Sequence, residues 1–167
     1  MKTLLLLVAL TSPIFDWVQN GQHPQIADSY ANAVDARGDH AMGISHQRAT
    51  HHFKLLISGG EIEITAKDAA DIATRDEIRA HLAHIAQLFA AGDFEIPMFI
   101  HDQVPPGVPV MKAKKAAISY VFEPMPTGGK IAISTGDPEA QRAIHAFLRF
   151  QIDDHRTGDS KLVGPPT

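Results

Sequence analysis

The sequence predicts an α+β fold: a duplicated ββα unit that builds a four-stranded antiparallel sheet with two helices packed on one face. Three observations lead there. Residues 59–68 (GGEIEITAKD) lie without a gap against 128–137 (GGKIAISTGD), and after a short deletion 78–93 (IRAHLAHIAQLFAAGD) lie against 144–159 (IHAFLRFQIDDHRTGD). Each matched hairpin has the two-residue alternation of half-buried strands, as in Ile62 and Ile64 against Glu61, Glu63 and Thr65. Each matched helical segment carries one apolar stripe. Neither unit can hide its apolar face alone, and two units can bury each other.

Taken in order, the chain opens on Met1-Lys2-Thr3 and an apolar run over 4–10, broken by Thr11, Ser12 and Pro13. This pattern predicts a signal peptide over 1–20 and a periplasmic or secreted destination, and the run is too short to span a bilayer. Residues 21–45 are polar and poor in large aliphatics, which predicts a flexible tether with room for a short helix over 25–37. A single domain is expected over 46–160, with repeats at about 51–93 and 117–159, and a disordered tail over 161–167. In the first repeat, 53–58 and 61–66 read as strands joined by a turn at Gly59-Gly60. Asp68 then precedes a helix whose main stretch is 75–91, stopped by Gly92. In the second, strands over 117–123 and 130–135 flank a turn at 124–129, and Asp137-Pro138 starts a helix over about 139–155. Residues 97–111 read as a proline-braced loop.

Composition narrows the function classes. At 167 residues the chain is long enough to bury roughly two thirds of its unfolded surface without covalent staples. Its net charge of −4 and pI near 6.2 leave no basic footprint for nucleic acid. The one basic cluster, Lys112, Lys114 and Lys115, reads as a solvated strand entry. The absence of cysteine excludes disulfides, thiolate catalysis, iron–sulfur clusters, thiolate zinc sites and blue-copper centres. Phosphate-loop, dinucleotide, zinc-protease and serine-hydrolase motifs are all missing.

What chemistry the chain does offer is concentrated in residues 77–111, which hold three of its ten histidines and two of its five methionines. Imidazole nitrogen and thioether sulfur together suit copper, particularly Cu(I). On a helical wheel Ile78, Leu82, Ile85 and Phe89 form the buried stripe, and Glu77, His81, His84 and Leu88 run along one flank. His81 and His84 therefore reach toward one point, with Glu77 placed to ligate or to orient an imidazole. Met98 and His101 follow, three residues apart. His51 and His52 open the first strand on opposite faces, so only one of them can join such a site. The expected metal ligands are His81, His84, His101 and Met98, with His52, His51 and Glu77 auxiliary. His145 and His155 are expected to be structural, the latter in the last helical turn. His101-Asp102 is a weak acid–base pair, since adjacent residues seldom orient each other.

The segment HLAHIAQLFAAGDFEIPMFIHDQVPPGVPVM, with AMGISHQRATHHF upstream and FLRFQIDDHRTGD near the end, resembles a family of small exported bacterial proteins with no known activity. The resemblance covers nearly all of 40–160. It implies export and carries over no site. The function expected from the residues is an exported, non-enzymatic metal-binding protein for copper sequestration or delivery, with zinc as the alternative ion and a protein partner for metal transfer. The rival reading is a protein- or small-ligand-binding module with structural histidines. A metal-dependent hydrolase-like enzyme is the third. Neither nucleic acid nor insertion in a membrane is expected.

Overall fold

The computed structural model describes residues 24–165. The expected signal peptide over 1–20 lies outside them. In chain order the elements are helix α1 (Pro24–Met42), strands β1 (Ala49–Leu56) and β2 (Gly59–Ala66), helices α2 (Ile72–Ala91), α3 (Glu95–His101) and α4 (Val108–Ala113), strands β3 (Ile118–Met125) and β4 (Gly128–Thr135), and helix α5 (Pro138–Asp154). The strands form one antiparallel sheet in the order β1-β2-β4-β3, so the α+β class and the four-stranded sheet are as the sequence predicts.

The duplication sets the architecture. β1 corresponds to β3 and β2 to β4 residue for residue, and the two hairpins have equivalent registers. β2 and β4 meet with Ile62 opposite Ile131, which are themselves counterparts in the two repeats. A pseudo-two-fold axis therefore passes through that pair. The helices start alike: Asp71 accepts from the Thr74 backbone N–H and Asp137 from those of Glu139 and Ala140. These capping bonds satisfy donors that the first helical turn leaves open. Even the helix-to-hairpin bonds correspond, since Arg79 donates to the Met125 carbonyl and its counterpart His145 to the carbonyl of Leu56.

Alternation then decides the faces. Phe53, Leu55, Ile62, Ile64, Ile118, Ile131 and Ile133 bury into one core with Ile78, Leu82 and Phe89 of α2 and Ile144, Phe147 and Leu148 of α5. A Cβ at Gly60 would overlap the Leu148 side chain, so the missing side chain is what lets α5 sit this close to β2. Residues of the other parity carry charge, as in Lys130–Glu61 at 2.8 Å and Lys54–Glu63 at 3.0 Å.

Four expectations change. The turns fall at residues 57–58 and 126–127, so Gly59 and Gly60 begin β2 rather than forming the turn. Residues 24–42 are helical throughout, with Ala31 and Val34 buried, so the short helix allowed over 25–37 is longer than expected and is packed rather than part of a flexible tether. The expected loop over 97–111 is mostly helix: only 102–107 separate α3 from α4, and Gly107 caps the start of α4 with a φ of 87° and a close approach to the Ala143 carbonyl that demand glycine. The tail is ordered through residue 165, because Gly164 pairs with the β1 edge, donating to Leu55 O at 2.8 Å and accepting from Ile57 N at 3.1 Å. Among the described residues no helix is long and apolar enough to cross a membrane.

Candidate ligand-binding cavity

A cavity of about 570 Å³ opens between α1, the first hairpin, α2, α3 and the end of α5. Its walls follow from the periodicities above. The inward parity of β1 and β2 presents Phe53, Ile62 and Ile64, and the α2 stripe presents Leu82, Ile85 and Phe89. One side is closed by α1, which contributes Val34, Gly38 and Met42. That helix is tied to the exposed carbonyls at the end of α3: Tyr30 Oη donates to His101 O at 3.0 Å and Arg37 Nε to Ile100 O at 2.6 Å. Such carbonyls lack intrahelical partners and are natural docking points. An Arg156–Asp35 ion pair at 3.4 Å and a His46–Asp39 hydrogen bond at 3.0 Å lie at the rim.

Histidines from four elements line this apolar space. His51 (β1) stacks on His155, just after α5, with ring centroids 5.4 Å apart, and His101 (α3) meets His155 edge-on at 5.0 Å. His81 of α2 completes the wall. His101 is fully buried at 1% exposure and has no free nitrogen: Nδ1 pairs with Asp154 and Nε2 lies 2.9 Å from Gln151 Oε1. It serves as a brace between α3 and α5, and its acid partner is Asp154, not the neighbouring Asp102. In contrast, no group among the described residues hydrogen-bonds the ring nitrogens of His51, His81 or His155. Gln151, at 4% exposure and on the cavity wall, keeps an unpartnered Nε2.

Electrostatics keeps the three open rings neutral. Burial, and then the neighbouring His81 and His52, lower His51 to about 4. Burial, and then His84, lower His81 to about 4. Burial, followed by His51 and His101, holds His155 well below the ordinary histidine value. Apolar walls cannot solvate an imidazolium, and each charged ring would repel the next.

The expected ligands separate accordingly. His51, His52, His81 and His101 line the cavity, whereas His84, Met98 and Glu77 do not. His84 and Glu77 are exposed on α2, and His52 pairs with Asp159 at 2.9 Å. Among the described residues no group of three or more His, Asp or Glu side chains is arranged to hold a metal ion. Sequence reasoning missed His155, Gln151 and the whole α1 wall. One signal pointed to His155. The repeats set His51, His81 and His155 against Tyr120, Phe147 and Phe89, so that three aromatic core positions have become imidazoles. The chain matches no known family model, no curated protein and no solved structure.

Proposed function

We propose that this chain is an exported, non-enzymatic binding protein whose cavity holds a small, mostly apolar molecule recognised by imidazole groups. One observation carries the reading: His51, His81 and His155, whose ring nitrogens have no hydrogen-bond partner among the described residues, line a mostly apolar cavity of about 570 Å³. That volume lies within the roughly 300–1,000 Å³ of small-molecule sites, which pair apolar walls with a few polar groups. Gln151 Nε2 is buried without a partner, which costs about 1–3 kcal/mol and would be relieved by an acceptor on the ligand. Export is supported by the N-terminal pattern and by the family resemblance.

Copper handling keeps one point in its favour, since neutral imidazole is the form that ligates metals. It counts against a bare ion that the described donors do not converge. The test is titration with a neutral solvatochromic dye such as Nile red, with near-UV circular dichroism confirming native packing. One-to-one binding, lost when Ile64→Trp fills the cavity of a still-folded protein, is expected. Absence of dye binding to the native protein would remove the reading.

A further inference from the structure

The cavity reading leaves open why its polar groups are imidazoles, and the inference here rests on that reading. A hydroxyl or amide offers hydrogen bonds without a titrating charge. Three imidazoles on the lining of one cavity have one property those groups lack: a nitrogen lone pair suited to a transition metal. A bare ion needs donors that converge, and none do so among the described residues. A single ion also has no use for about 570 Å³ of mostly apolar space. Both conditions are met if the metal arrives inside a flat organic framework that needs only one or two axial nitrogens.

We infer that the cavity binds a metal-centred planar macrocycle of the haem class, with His51 as axial ligand. His51 is the best placed ring. Its ring, that of Phe53 at 6.5 Å and that of His155 at 5.4 Å form a three-membered cluster, closed by the 5.7 Å Phe53–His155 contact, which packs one side of the imidazole. The Asp154–His101–His155 contacts extend that support into α5. Phe53, Phe89 and Phe147 supply aromatic surface for a flat ligand. Lys67 and Arg156 stand on the same lining, where carboxylate edge groups would meet them. The two acids beside them, Asp35 and Asp39, are engaged by Arg156 and His46. With no cysteine in the chain, histidine is the natural axial donor.

The test titrates the full mature chain with ferric protoporphyrin IX at neutral pH, beside metal-free protoporphyrin IX and free copper. A saturable one-to-one complex with a shifted, low-spin Soret band is expected, at least tenfold tighter than the metal-free ring. His51→Gly should weaken binding at least tenfold and lose the low-spin spectrum, and added imidazole should restore it. A His51→Phe protein, checked for folding by circular dichroism, should show the same loss without rescue. Equal binding of the metal-free ring, or an unchanged spectrum in His51→Gly, would overturn the inference. If Nile red binds and the metalloporphyrin does not, the inference fails and the cavity reading stands. If neither binds, both fail.

Discussion

The two repeats bury equivalent positions in opposite ways. In the second hairpin's half, Phe89, Tyr120 and Phe147 close the core, with Phe89 edge-on to Tyr120 at 5.7 Å and to Phe147 at 6.0 Å, and Phe94 stacked on Phe89 at 4.4 Å. In the first hairpin's half the counterparts are His155, His51 and His81, and His155 stacks on His51 at 5.4 Å. The hairpin backbones match residue for residue, so within the matched segments the difference lies in the side chains. The aromatic rings pack on one another, and Phe89 and Phe147 form the inner wall of the cavity. Imidazoles in the other half leave a cavity that α1 roofs over. A duplicated fold thus carries its own reference copy, and these departures from symmetry fall on the cavity lining.

Acid should break the comparison most forcefully. His51 and His81 titrate near 4 and His155 well below normal in the folded protein, against 6.5 in the unfolded chain. As pH falls below about 6.5 the unfolded chain takes up these protons first. The stability they confer is complete above that value and is lost as pH falls toward 4. The loss is on the order of 1 kcal/mol per pH unit for each ring, reduced by whatever water enters the cavity. Tm should fall steeply between pH 6.5 and pH 4. The triple variant His51→Tyr, His81→Phe, His155→Phe, which copies the closed half, should flatten that fall and raise Tm at neutral pH. It should also lose dye binding. An equally steep profile in the triple variant would mean that carboxylates, not these rings, set acid lability.

The converse exchange is the next largest effect. Phe147→His imposes the open half's chemistry on a closed position that is 1% exposed. Removing a buried phenyl costs about 3–5 kcal/mol, and a stranded imidazole adds a desolvation penalty. We expect a loss of about 3 kcal/mol or more by denaturant unfolding. A loss below about 1 kcal/mol would mean that the closed half tolerates polarity and that the asymmetry has no packing cause.

How much of this was legible in the sequence depended on whether the signal was local. The strand faces and the α2 stripe of Ile78, Leu82, Ile85 and Phe89 follow from short periods, and all four stripe residues are buried. The repeats fixed the pairing of hairpins. Helix α1 was legible only as a short helix over 25–37, because NAVDARGDHAMG spreads few apolar residues through polar ones and its full length packs against α3. The short helices α3 and α4 start at Pro and Gly signals that serve loops equally well. His101 looked like a ligand because its partners Gln151 and Asp154 are remote in sequence and bracket it only in the fold. His155 was readable only by asking what the repeat changes rather than what it keeps.

The smallest effect separates two residues that spacing alone makes equals. His81 and His84 share one flank of α2, and the wheel aims both at one site. In the fold only His81 reaches the cavity wall, while His84 faces solvent. The divergence arises because the cavity lies toward β1 and α3, and the step of three residues, about 60° short of a full turn, carries His84 off that edge. His84→Ala should therefore change stability by no more than about 0.5 kcal/mol, as exposed positions do. It should leave ligand affinity unchanged, while His81→Ala weakens it. Calorimetry with dye titration on the two single variants decides the matter. If both variants lose affinity equally, the flank works as a unit, and the pair expected from sequence returns as the site.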